Sequence, residues 1–157
     1  MSDQALRDHV AALIRWEDAH AGLDQIVDGV PADKWGAAAP GIPYTLWQLL
    51  EHLRLTQYDI LDFCRNPGYT QPRWPDDYWP AESDQPTPDA VAGSLAAYRQ
   101  DREALTALAL DRKVDLFARI PHGTGQTYLR ELLLVADHTS YHLGEMVVVR
   151  RALGIWD

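Results

Sequence analysis

Four long stretches of this sequence repeat apolar residues every three or four positions, and segments rich in proline or glycine separate them. That spacing is typical of α-helices that bury one face and expose the other. Thr45 and Gln48 form a capping-box pattern at the start of the second stretch. Pro88 suits a first helical position, and Gly154 suits a C-terminal stop. The sequence therefore predicts helices over residues 3–27, 45–66, 87–110 and 127–153.

The connection between the second and third predicted helices is long. Residues 67–86 contain five prolines together with Trp74, Tyr78 and Trp79. A long connection lets the third helix run in the same direction as the second. We therefore expect an all-α four-helix bundle with a long crossover between helices 2 and 3, in a single domain over residues 1–157. The aromatic residues of the crossover either wall a pocket or cap the apolar end of the bundle.

Charge and composition argue against several classes of protein. The net charge of −9, without a basic stripe, argues against binding to a nucleic-acid backbone. No apolar run approaches the ~20 residues that a membrane-spanning helix requires, so we expect no membrane partner. Cys64 is the single cysteine, which excludes an intramolecular disulfide. Because the N-terminal residues also lack a signal-peptide pattern, we expect a cytoplasmic protein.

Three histidines are candidates for chemistry. His138 and His142 are four residues apart, so they lie one above the other on the same helical face and can bind one metal ion. The alternative is a pair of polar residues that face solvent. Thr139 occupies the position where a zinc protease would have its glutamate, which excludes that class. His52 lies among leucines, so its imidazole needs a buried partner: a carboxylate, a carbonyl, or a metal shared with the other two histidines.

The segments around these histidines resemble the DinB-like family. Residues 47–53 read WQLLEHL and residues 138–146 read HTSYHLGEM. The family pattern is a histidine in the second helix, then His-x-x-x-His-x-Gly-Gln/Glu in the fourth. The resemblance implies a divalent metal ion (zinc, nickel, iron or manganese) held by His52, His138 and His142. It also implies a homodimer and a low-molecular-weight thiol cofactor, since relatives include thiol-dependent S-transferases and mycothiol-dependent maleylpyruvate isomerases.

Two acidic residues share a helical face with the predicted ligands. Glu145 follows His142 by three residues, and Asp59 follows His52 by seven. Each is predicted to lie on the same side of its helix as that histidine. Either carboxylate could orient an imidazole or act as a general base. The alternative for both is an exposed surface charge.

The other histidines and the cysteine support weaker predictions. His20 is expected at the rim of the bundle with a hydrogen-bond partner, or else lining the metal pocket. His122 is either a further ligand or a solvated turn residue. Cys64 lies about 18 Å along the helix from His52, too far to act with it, and is expected to be a small packed residue. No role is assigned to His9.

Three functions remain open from the sequence. The first is a metal-dependent enzyme that transfers a thiol sulfur to a small electrophilic substrate. The second is a metal-dependent hydrolase that uses water, with Glu145 or Asp59 as the base. The third is a structural or interaction protein that a metal stabilises without catalysis.

Overall fold

The structure, a computed structural model, describes residues 3–15, 19–80 and 85–156. These residues form five α-helices and two short 3₁₀ turns at residues 32–34 and 76–78. Among them, β pairing is limited to one antiparallel bridge between Arg119 and Thr127. None of the described helices combines the length and the apolar character that a bilayer crossing requires. The helices are α1 Gln4–Arg15, α2 Leu23–Val27, α3 Leu46–Arg65, α4 Pro88–Leu110 and α5 Tyr128–Ala152.

The predicted bounds of the last three long helices are confirmed. Thr45 caps α3 by accepting from the backbone N–H of Gln48, and the Gln48 side chain accepts from the Thr45 backbone in return. A threonine side chain also caps α4 and α5. Gly154 follows α5 with a φ of 69°, a left-handed conformation that ends a helix readily only at glycine.

The single helix predicted over residues 3–27 is wrong, because the structure has two helices there. α2 begins after Gly22, which is extended rather than helical. Side chains from two other helices hold α2 in place. Asp24 forms ion pairs with Arg99 (2.6 Å) and Arg102 (3.3 Å) of α4, and the guanidinium of Arg150 in α5 donates to the carbonyl of Ile26. Residues 16–18, which the prediction also covered, lie outside the described residues.

The helices pack around two apolar clusters. α3 contacts both α4 and α5, and α1 contacts the same two helices. One cluster contains Leu53 of α3 with Leu143 and Met146 of α5. The other contains Ile60 of α3 and Val135 of α5. Residues 136–142 of α5 belong to neither cluster, so a polar layer lies between them. The single domain over residues 1–157 stays a prediction.

Candidate metal centre

The polar layer brings His52, His138 and His142 together. His52 comes from α3, and the other two come from successive turns of α5, which packs against α3. The Nε2 atom of His138 lies 3.1 Å from the Nε2 atom of His52 and 3.1 Å from that of His142. One nitrogen of each ring lies within 4.8 Å of the other two. The three Nε2 atoms therefore converge on one point.

The Nδ1 atom of each ring, on the side away from the converging Nε2 atoms, lies near an oxygen. His52 Nδ1 donates to the Tyr78 carbonyl at 2.9 Å, and His142 Nδ1 donates to Glu145 Oε2 at 2.6 Å. His138 Nδ1 lies 3.5 Å from the hydroxyl of Thr56, whose own proton goes to the His52 carbonyl. These acceptors favour a proton on every Nδ1, which leaves a lone pair on every Nε2.

A divalent cation fits this arrangement. Two nitrogens each about 2.1 Å from one ion lie about 3.0 Å apart at a right angle and about 3.4 Å apart at the tetrahedral angle. The observed 3.1 Å falls between those values. Burial lowers the pKa of His52 to about 4. Burial, reinforced by the other two rings, lowers the pKa of His138 to about 3. Both rings are thus neutral near pH 7, as metal ligands must be.

Aromatic rings surround the cluster. Trp79 stacks on the His52 ring at a centroid distance of 3.8 Å, and Tyr44 stacks on Trp79. Trp74 and Tyr141 approach His52 and His142 edge-on, and both are largely exposed. The crossover aromatics Trp74 and Trp79 therefore lie against a predicted ligand. Because His138 is only half-buried, the centre is accessible to solvent beside these rings.

Asp59 reaches the cluster indirectly. Its two carboxylate oxygens accept from the hydroxyls of Tyr69 (2.7 Å) and Tyr78 (2.9 Å). Burial, together with the Asp59 carboxylate, raises the pKa of Tyr78 to about 12, so that hydroxyl stays a donor. The same Tyr78 supplies the carbonyl that binds His52. Asp59 thus holds the residue that orients His52, and its role as a base stays a prediction, as does that of Glu145.

The weaker candidates lie elsewhere. His20 is exposed and its Nε2 lies 3.1 Å from the Ser140 hydroxyl, the rim position that was one of its two predictions. His122 bonds the Phe63 carbonyl through its Nε2 at 2.7 Å and is not among the clustered histidines. Cys64 is buried, which confirms the prediction of a packed residue, and burial raises the pKa of its thiol to about 12. His9 is exposed.

Two contributors to the site were missed from the sequence. Thr56 lies four residues after His52, so helical spacing was a usable signal for it. The carbonyl of Tyr78 carries no sequence signal, because any residue offers a backbone oxygen. Its position depends on the fold of the crossover.

Comparison with known proteins gives one match. A family model described as the DinB superfamily matches residues 15–146, which include all three clustered histidines and the crossover. A search of curated proteins found no match. A search of solved structures found none either.

Proposed function

The chain belongs to the DinB superfamily, and on that premise we propose that it binds one divalent metal ion through His52, His138 and His142 and transfers a thiol sulfur to a small electrophile. The observation that carries the proposal is the convergence of three Nε2 atoms, two of whose rings are held by hydrogen bonds at Nδ1. The metal is zinc, nickel, iron or manganese, since the affinity order of a histidine site does not decide which of them a cell supplies. The thiol is a low-molecular-weight cofactor.

The proposed roles follow from the surroundings of each residue. When bound, the ion supplies Lewis acidity that lowers the pKa of a nearby thiol or water. Glu145 lies behind His142 and orients it through a 2.6 Å hydrogen bond. Because its carboxylate is also 30 % exposed, we assign it to take the thiol proton through a water molecule rather than by direct contact. The thiolate sulfur then forms a bond to the electrophilic carbon while the bond from that carbon to its leaving group breaks. The leaving group departs with the bonding electron pair and takes up the proton that Glu145 accepted. Trp79 covers the His52 ring and keeps water from that side of the reaction.

An enzyme is favoured over a structural metal site by the ligand count. Among the described residues, the clustered group has three members and no fourth protein ligand. Closed structural sites have four protein ligands, whereas catalytic sites have three and keep a position for substrate. The exposed Trp74 and Tyr141 beside the cluster offer apolar walls for a small molecule.

Metal content and thiol dependence test the proposal in turn. Elemental mass spectrometry of tag-free protein should find about one equivalent of metal in the wild type and little in His52→Ala or His138→Ala. No metal after reloading and dialysis would overturn the site. With metal present, turnover of electrophiles that requires added thiol supports S-transfer. Turnover without thiol would identify the hydrolase, and no turnover with a large stability loss on chelation would identify the structural protein.

Three further properties complete the proposal. The helix contacts support a four-helix bundle of α1, α3, α4 and α5, in which residues 66–87 make the crossover. The family resemblance supports a homodimer. The single cysteine, buried and unreactive, is compatible with the cytoplasm.

A further inference from the structure

The outward face of α5 carries an exposed stripe that no other part of the described chain covers. It consists of residues at spacings of four, four, three, four and three, which keeps them on one side of a helix. Three of them are large apolar side chains with exposures of 44 %, 66 % and 51 %. The stripe residues are Leu133, Asp137, Tyr141, Gly144, Val148 and Arg151.

Gly144, at the middle of the stripe, has no function in the packing of the single chain. A Cβ atom built at this position meets no atom within 4 Å. A glycine inside a helix destabilises it relative to alanine, because glycine loses more conformational freedom on folding. The fold would therefore accept a larger residue. What glycine does offer here is a flat surface that lets a second backbone approach closely.

Two opposite charges flank Gly144 symmetrically. Asp137 lies seven residues before it and Arg151 seven residues after it, each about 10.5 Å away along the helix axis. Both residues are exposed, and neither side chain takes part in an ion pair or hydrogen bond with the described residues. Asp137 and Arg151 thus place one negative and one positive charge on the exposed face, at equal distances from Gly144.

We propose that this stripe docks onto the same stripe of a second copy of this chain, with the two α5 helices antiparallel about a two-fold axis through Gly144. The axis sets Asp137 of each copy opposite Arg151 of the other, so the contact contains two ion pairs. Tyr141 of each copy then packs near Val148 of the other. The inference rests on the proposed homodimer and is independent of the metal.

Charge complementarity favours a second copy over a different protein. A two-fold contact uses the same surface of both copies, so that surface must complement itself. If residue i of one copy contacts residue j of the other, residue j of the first copy also contacts residue i of the second. A stripe with opposite charges at equal distances from its centre meets that requirement. Each chain carries a net charge of −9, so two copies repel at long range. Local ion pairs of opposite sign therefore matter for both affinity and register.

The docking surface borders the candidate metal centre. Tyr141 contacts His142 edge-on at a centroid distance of 5.0 Å while its ring is 66 % exposed. Docking would bury this ring and make the second copy part of the wall beside the centre. The contact extends over about 27 Å of helix between Leu133 and Arg151, which is short for an interface. We therefore expect a weak dimer, with a dissociation constant in the micromolar range or above.

Charge reversal tests the surface by sedimentation velocity at about 0.15 M salt, where exposed charges still interact at contact. Asp137→Arg and Arg151→Asp should each raise the dissociation constant at least about tenfold, because each places like charges opposite each other twice. An equimolar mixture of the two variants should form a heterodimer, since both of its pairs are then of opposite sign. The double variant D137R/R151D should dimerise like the wild type. Glu103→Arg on the exposed side of α4 is the matched control and should leave the dimer intact.

The outcomes separate this surface from the broader proposal. If both single charge-reversal variants dimerise like the wild type, the stripe is not the docking surface, and the proposed homodimer still stands. A mixture that stays monomeric would overturn the antiparallel register. A wild type that is monomeric at about 100 µM would overturn both the stripe and the homodimer, and would leave the metal proposal standing. Restored assembly in the mixture and in the double variant would support the proposal.

Discussion

The inward and outward faces of α5 differ in how far the rest of the chain buries them. On the inward face, Thr139 and His142 are buried, and His142 is held by Glu145. On the outward face, Tyr141 and Val148 are more than half exposed although they are apolar. Two turns of this helix supply His138 and His142 to the histidine cluster, while the opposite side of the helix is exposed along most of its length. The inward face is buried within one chain, whereas we propose that the outward face is covered by a second copy.

The largest expected effect is the loss of metal binding when one of the three clustered histidines is removed. In His142→Ala, two nitrogens remain, and we expect bound metal to fall below roughly a tenth of an equivalent, with loss of thiol-dependent turnover. Elemental analysis and a turnover assay measure both effects. His122→Ala is the matched control, because His122 bonds the Phe63 carbonyl outside the cluster. Full metal retention in His142→Ala would contradict a shared three-histidine site.

Removing the carboxylate behind a ligand should have a smaller effect. Glu145→Ala deletes the acceptor at His142 Nδ1, which frees the ring to rotate or change tautomer. Partners of this kind typically change metal affinity by about 10–100-fold. Competition with a chromogenic chelator measures the change. Glu145→Gln keeps an acceptor oxygen and should lose less affinity, and equal affinity in all three proteins would show that Glu145 does not orient His142.

Acid should lower the stability of the metal-free protein through the buried histidines of the inward face. Burial lowers the pKa of His52 to about 4 and of His138 to about 3, so the unfolded chain takes up protons first as pH falls below about 6.5. The free energy of unfolding should therefore drop by roughly 1–3 kcal/mol between pH 7 and pH 5. Urea titrations at the two pH values measure it. The outward stripe contains no histidine, so assembly should change less over this range.

The sequence predicted the inward face better than the outward one, for physical reasons. Histidine spacing and the family resemblance identified the three histidines that cluster, and capping residues located the ends of α3, α4 and α5. The break after α1 was missed because the apolar spacing continues into α2 while Gly22 is extended. The Tyr78 carbonyl was missed because a backbone oxygen leaves no trace in the sequence. The exposed stripe was missed because the sequence does not distinguish an apolar helical residue that faces solvent from one that faces the core.

Gly144→Ala has the smallest expected effect, and it best distinguishes packing within one chain from contact between two copies. Gly144→Ala adds a methyl group that meets no atom of its own chain, and alanine favours the helix. The monomer should therefore gain about 0.5–1 kcal/mol of stability. The same methyl group holds the second copy away, so self-association should weaken in the same variant. Urea unfolding at low concentration and sedimentation velocity at high concentration measure the two effects. A general loss of folding would lower both the stability of the monomer and its self-association. A monomer that is more stable but associates more weakly would therefore show that Gly144 serves the contact between copies. A change of both quantities in the same direction would show that it does not.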